Sequence, residues 1–437
     1  MRRLTPPRRL VVGYFGQWSV YDHFFVKNLV TSGAASQLDQ INYAQGFVTN
    51  DRCSVADPNA DLNLVFNAAD AVDGVADSPA TTFHGNFHQL AELKRLHPKL
   101  KILISLEGRA SAFAADAQPA ARQGFVASCV DIFLRGNFSA SPNVAPATPD
   151  QPGLFDGIDL DWEYPQATDA ANFVALLTEL RRQMDALRPG LRLTIAVGPS
   201  PRMYPGVDMA AVSRLVDQVG IMNYDYSGPW AKTTGFLAPL YGPESESGTV
   251  EGSILAYKAA AIPASKLLLG IPFYGYGWHA VGKGADGLFQ PGVSIHGDRP
   301  YSYLQTLLIP NPASAGTVPP SPTPSSLGGP TPAAPSSAPS LLTGTGAPAP
   351  ANLPMLTPTP DAHPFILHRD PRSHAPWLYD GDTFWTYEDP VSIRYKADFA
   401  MEQQLGGIMA WELSEDAPDA ALLKAARNRF NHPDRNP

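Results

Sequence analysis

Eight short apolar segments alternate with amphipathic helical stretches along this 437-residue chain, and that alternation predicts an α/β fold, a (β/α)8 TIM barrel. One interval breaks the rhythm: about 130 residues separate the seventh segment from the eighth. Aromatic- and glycine-rich stretches, Tyr274–Tyr303 and Phe365–Tyr387, lie in that interval and predict a small α+β insertion domain between strands 7 and 8. Length alone, at roughly 150 residues per domain, would suggest three domains; the alternation reduces this to one barrel and one insert.

The strand-like segments are Leu10–Phe15, Gln40–Val48, Lys101–Leu106, Phe155–Asp161, Leu191–Val197, Val219–Asp225, Leu267–Phe273 and Gly406–Trp411. Each is bounded on at least one side by Gly, Pro, Asp or Asn. The helical period is clearest over Asp169–Leu187, where Phe173, Leu176, Leu177, Leu180, Met184 and Leu187 recur at steps of three and four. Thr168 with Asp169 offers an N-cap, and Pro189 with Gly190 a stop. Asn86–Leu96, Ala120–Leu134, Met209–Val216, Val391–Gln404 and Asp419–Arg429 follow the same period. A doubly wound open sheet would alternate too, but no glycine-rich phosphate loop follows any strand. The barrel is expected over 8–273 and 389–430, with the insertion over 274–388.

Composition narrows the function classes. Apolar residues make up 44% of the chain, enough for a large core, yet none of its segments approaches the roughly 18 apolar residues of a membrane span. A formal charge of −9 argues against a general nucleic-acid binder. Proline is in excess, at 44 residues, and sixteen of these fall between Pro310 and Pro364. That run carries no charge up to Pro360 and has no hydrophobic period, so about 308–362 reads as a disordered Pro/Ser/Thr-rich spacer within the insertion, with a PxxP ligand as the alternative. Cys53 and Cys129 are too few for a disulfide scaffold or a zinc site, and Cys129 falls on the apolar side of a helical pattern, as a core residue would. The basic stretch Met1–Arg9 precedes an apolar run too short for a signal segment. Asn137-Phe138-Ser139 is a glycosylation sequon, a feature of secreted chains, and the expected location is extracellular.

The chemistry concentrates in the fourth segment, Phe155-Asp156-Gly157-Ile158-Asp159-Leu160-Asp161-Trp162-Glu163-Tyr164-Pro165. Strand side chains alternate faces, so Asp159, Asp161 and Glu163 point one way, toward the active-site end of a barrel strand. Three like charges in a row need compensation. Proton sharing between Asp159 and Asp161, with Glu163 kept as an acid of raised pKa, supplies it. A solvated acidic edge would not place Ile158, Leu160 and Trp162 on the other face, and a divalent-metal site would need more ligands nearby.

DGIDLDWEYP is similar to the DxxDxDxE signature of glycoside hydrolase family 18, the chitinases. The resemblance extends to Val11–Trp18 and Asn42-Tyr43-Ala44 in the first two strands, Met222-Asn223-Tyr224-Asp225-Tyr226 in the sixth and Gly407-Ile408-Met409-Ala410-Trp411 in the eighth. It implies a retaining, substrate-assisted hydrolase of β-1,4-linked N-acetylglucosamine chains, working as a monomer on chitin or chito-oligosaccharides without metal or cofactor. Glu163 would be general acid and base, Asp161 would hold the acetamido N–H, Asp159 would share its proton, and Tyr224 would donate to the acetamido oxygen. Asp225 would bond Glu163 or a sugar hydroxyl, and Trp411 would floor the reacting sugar. Tyr14, Trp18, Phe47, Tyr164, Met222, Trp230 and Trp278 are further candidates for sugar contact, the last two for neighbouring subsites.

Two departures from the family pattern stand out. The third strand usually ends in SxGG and an aromatic; here it reads Ser105-Leu106-Glu107-Gly108-Arg109, leaving Glu107 to pair with Arg109 or to face solvent. Gln45 replaces a frequent aromatic, so stacking in part of the cleft is expected to be weaker. A lectin on the same fold is the alternative of another class, set against by the presence of Glu163. An endo-β-N-acetylglucosaminidase shares the motif, but a full insertion suits a deeper cleft for linear chains.

Overall fold

The computed structural model describes residues 8–308 and 364–433, except 50, 79–82, 147, 149 and 243–247. Its first sheet contains β1 (Leu10–Gly16), β2 (Gln40–Thr49), β3 (Arg52–Val55), β4 (Lys101–Glu107), β5 (Gly157–Asp161), β6 (Arg192–Val197), β7 (Gln218–Ile221) and β8 (Leu267–Pro272). A second sheet follows, with β9 (Tyr274–His279), β10 (Val293–Ser294), β11 (Arg299–Pro300), β12 (Ile366–Arg369), β13 (Pro376–Tyr379) and β14 (Phe384–Thr386). The chain then returns to the first sheet through β15 (Gly407–Trp411).

Strands β1, β2, β4, β5, β6, β7, β8 and β15 pair in parallel, and pairing of β15 and β2 with the two sides of β1 closes the ring. This is the expected (β/α)8 barrel. Its strands read as nearly continuous apolar runs because both faces are covered; all six residues of β8 are buried. The helix Ala170–Leu187 turns Phe173, Leu176, Leu177, Leu180 and Met184 inward, the stripe expected from their spacing. Gly157 opens β5 where a Cβ would collide with the Arg192 carbonyl of β6, so the close approach of these strands requires glycine.

Three local expectations change. The sixth predicted strand, Val219–Asp225, ends at Ile221; Asn223 turns inward, buried, and its Oδ1 accepts the Gly270 N–H at 3.3 Å. The fourth begins at Gly157 rather than Phe155. The helix expected over Ala120–Leu134 runs from Arg122 to Cys129 and continues as a wider π turn through Leu134.

Cys53 and Cys129 are bonded to each other, a disulfide the cysteine count alone did not suggest. The reason is topological. β3 folds back antiparallel on β2 and reaches the helix Arg122–Cys129, where Ser128 Oγ accepts the Cys53 N–H at 2.8 Å. Both cysteines are also core residues, as Cys129 was expected to be.

The second sheet runs β10-β9-β14-β13-β12, with β11 also on β9, and every pairing is antiparallel. It stands between β8 and β15 in the chain, where the insertion was expected. Trp278, Val281, Leu288, Trp377, Tyr379 and Phe384 form its own core, while Trp385 and Tyr387 join that of the barrel. The Pro/Ser/Thr-rich segment expected to be a spacer lies, from residue 309 to 362, outside the described residues. No helix among the described residues is long and apolar enough to cross a membrane.

Candidate active site

Register organises the acids. Ser105 of β4, Asp159 of β5 and Thr194 of β6 stand opposite one another, so their side chains share one face. Asp159 is buried and accepts the Ser105 hydroxyl at 3.0 Å and the Tyr14 hydroxyl at 2.7 Å on Oδ2, while Thr194 donates to Oδ1. Burial raises its pKa, and the hydroxyl donors pull back against that rise. Asp159 is therefore a fully bonded group at the base of the cluster.

One pleat higher, Asp161 is in a different situation. Its Oδ1 is buried without a hydrogen-bond partner among the described residues. Burial holds its pKa well above the ordinary carboxylate value, and the charges of Glu163, Glu107 and Asp159 push it further. A bare buried acceptor of this kind costs about 1–3 kcal/mol, which a ligand N–H would relieve.

Glu163 lies beyond the end of β5, half-buried at the rim. Burial pushes its pKa up to about 7, with Glu107 and Asp225 adding to the rise and the Tyr164 hydroxyl opposing it. A carboxyl poised near neutrality can both give and take a proton. Trp162 between the acids points the other way, stacked on Phe113 in the core, as the alternation required.

Asp225 follows the end of β7 with φ of 60°, a left-handed conformation that a short polar side chain tolerates. It accepts the Tyr274 hydroxyl at 2.6 Å; burial pushes its pKa up to about 6, with Tyr274 and Tyr276 opposing the rise. Asp225 thus reaches Glu163 through its charge and the insertion through its hydrogen bonds. Tyr224 is buried and edge-on to Tyr274, close enough to Asp161 and Glu163 for their charges to raise its pKa beyond the rise that burial causes. Met222 packs against the same barrel interior.

Among the aromatics, Trp411 is half-buried at the end of β15, with Tyr14 5.3 Å and Trp18 6.2 Å away between ring centroids. Tyr14 spends its hydroxyl on Asp159, so its place is in the acid network rather than on a sugar hydroxyl. Tyr164 stands beside Glu163, and Phe47 is half-buried opposite Glu107. Trp230 is 57% exposed and edge-on to Tyr276. Trp278 is the correction: it is wholly buried, its Nε1 donating to the Ala231 carbonyl at 3.2 Å. It packs the insertion core and offers no face to a ligand.

Among the described residues Glu107 makes no ion pair with Arg109, and it is half-buried rather than exposed. It ends β4 on the Ser105 face, whereas Arg109 is exposed ahead of the helix Ala110–Asp116. Ser105, Thr194, Tyr274 and Glu412 were not among the candidates. Glu412 is buried beside Trp411, accepts the Trp18 indole N–H at 3.3 Å, and is pushed up to about 7 by burial. Matching hydroxyl positions on β4 and β6 to Asp159 would have found the first two, but only once register was known.

Comparison with known proteins agrees with this layout. A profile described as glycosyl hydrolases family 18 matches residues 10–416. Chitinase C of Streptomyces lividans is 31% identical over 427 residues, covering 93% of this chain and 57% of that protein. Chitinase 63 of Streptomyces plicatus is 31% identical, covering 96% and 60%. This chain thus spans about three-fifths of the length of these relatives. The catalytic domain of psychrophilic chitinase B from Arthrobacter TAD20 superposes with a TM-score of 0.77 at 28% identity, covering 97% of this chain and 95% of that one. With the acid ladder in register on β5 and a family profile matching nearly its whole length, the chain belongs to glycosyl hydrolase family 18.

Proposed function

We propose that this chain is a chitinase that hydrolyses β-1,4-linked N-acetylglucosamine polymers and oligomers with retention, assisted by the substrate's own acetamido group. One observation carries the reading: Asp161 holds an unpartnered buried oxygen directly beside a rim carboxyl, Glu163, poised near 7. Glu163 gives its proton to the glycosidic oxygen as the C1–O bond breaks. The acetamido carbonyl oxygen bonds to C1 from the opposite face, and positive charge spreads over the resulting ring. Asp161 accepts the acetamido N–H and offsets that charge, and the Tyr224 hydroxyl donates to the acetamido oxygen. Water then attacks C1, its proton passes to Glu163, and the acetamido ring reopens. Two inversions give net retention.

Asp159, bonded by three hydroxyls, serves as the fixed partner of Asp161 and exchanges a proton with it. Trp411 floors the reacting sugar, and exposed Trp230 offers a stacking face farther along the cleft. The reading is tested by following an N-acetylated chito-hexamer by proton NMR. Newly formed reducing ends should appear first as the β-anomer; first appearance as the α-anomer, or no cleavage, overturns it.

We also infer that the chain works in an oxidising, extracellular setting. The Cys53–Cys129 bond supports this more than the sequon does, since Asn137 donates its amide nitrogen to Asp131 at 3.0 Å.

A further inference from the structure

Glu107 stands where the family usually has glycine, and the barrel register assigns it a neighbour. Ser105 is opposite Asp159 and Leu106 opposite Leu160, so the next step along β4 places Glu107 beside Asp161. Alternation keeps it on the face of Ser105, whose hydroxyl already touches Asp159. On its other side, Glu107 is opposite Phe47 of β2, an apolar neighbour that offers it no charge. We propose that Glu107 is a positioning residue of the reaction, presenting a further carboxylate to Asp161 and Glu163 and thereby deciding how firmly each of them holds its proton. The proposal rests on the hydrolase reading above.

The groups facing the pair come from every side of the cleft. Asp159 lies below on β5, Glu107 beside on β4, and Asp225 beyond β7, with the hydroxyls of Tyr14, Tyr164, Tyr204 and Tyr224 around them. The charged groups that raise the pKa values of Asp161 and Glu163 are all carboxylates. Each carboxylate therefore strengthens proton retention by the others. Glu107 itself is half-buried, and the partial loss of water raises its own pKa. A glycine at this position would leave Asp161 and Glu163 to lose their protons at lower pH.

The test is the pH profile of kcat/KM on soluble N-acetylated chitotetraose for the wild type and Glu107→Gln. Removing the negative charge should move both limbs to lower pH by roughly one unit, with Glu107→Asp restoring them toward the wild-type positions. A Glu107→Gln profile that superimposes on the wild type, or moves to higher pH, overturns the proposal. Glu107→Gly carries the same test should the glutamine variant fail to fold. Carbon-13 NMR titration of the Glu163 carboxyl, in wild type and variant, reads the same displacement without turnover. A wild type that cleaves no chitotetraose counts against the hydrolase reading, whereas an unmoved Glu163 titration counts against Glu107 alone.

Discussion

Tyr14 on β1 donates its hydroxyl to Asp159 on β5 at 2.7 Å, joining residues 145 positions apart across the barrel interior. Ser105 and Thr194 complete the set from the strands flanking Asp159. Replacing Tyr14 by Phe removes one charge-assisted bond, worth about 1.5–3 kcal/mol. The expected outcome is a lower Tm and a kcat reduced about tenfold, with KM little changed, because the hydroxyl serves Asp159 rather than a sugar. A rise in KM with kcat intact would return Tyr14 to the sugar-contact role its sequence position suggested.

Stability should depend on pH through acids withdrawn from water, in the site and beyond it at Asp416, which is buried and accepts the Leu422 N–H at 3.0 Å. Glu163 and Glu412 are pushed up to about 7, Asp225 and Asp416 to about 6, in each case mainly by burial. A carboxyl whose pKa rises on folding favours the folded state while protonated. That contribution is full below about pH 4 and is lost as pH climbs through 6 to 7. Scanning calorimetry of the ligand-free protein should therefore show Tm falling from pH 5 to pH 8. Glu163→Gln should flatten the decline and gain on the order of 2–3 kcal/mol at pH 8. A Tm that rises over this interval would contradict the assignment.

Two tryptophans separate packing from binding. Trp278→Ala empties the insertion core and should cost about 3–5 kcal/mol of stability. Trp230→Ala, at a 57% exposed position, should leave Tm within about 1 °C, since surface changes cost under about 0.5 kcal/mol. Its effect belongs in KM for longer chito-oligomers. Thermal melts and oligomer kinetics on the two variants distinguish the roles.

The Cys53–Cys129 bond closes a separation of 76 residues between the β2–β3 hairpin and the helix Arg122–Cys129. Replacing both cysteines by serine should lower stability by about 2–5 kcal/mol. Melts of the double variant, and of the wild type with and without reductant, check this. An unchanged melt in all three would show that the bond does not form in solution.

Much of this arrangement was legible from local pattern. Barrel strands covered on both faces leave dense apolar runs, and the Ala170–Leu187 stripe repeats at helical period, so the barrel elements could be placed before their pairing was known. Asp159, Asp161 and Glu163 were legible because alternation along one strand is itself a spatial statement. What stayed hidden depends on pairing between segments distant in sequence. Ser105 and Thr194 meet Asp159 only through register, Cys53 meets Cys129 only after β3 folds back, and Glu107 turns toward the acids where solvent or Arg109 were the expectations. Trp278 and Trp230 read alike in the sequence, as candidates for neighbouring subsites, and only the second sheet distinguishes core from surface.

The most direct measurement is turnover and binding of an N-acetylated chito-oligomer by Glu163→Gln. If Glu163 is both acid and base, kcat should fall by about a thousandfold or more, while calorimetric titration gives a Kd within about threefold of the wild-type KM. Turnover near the wild-type rate in that variant would contradict the mechanism at its centre.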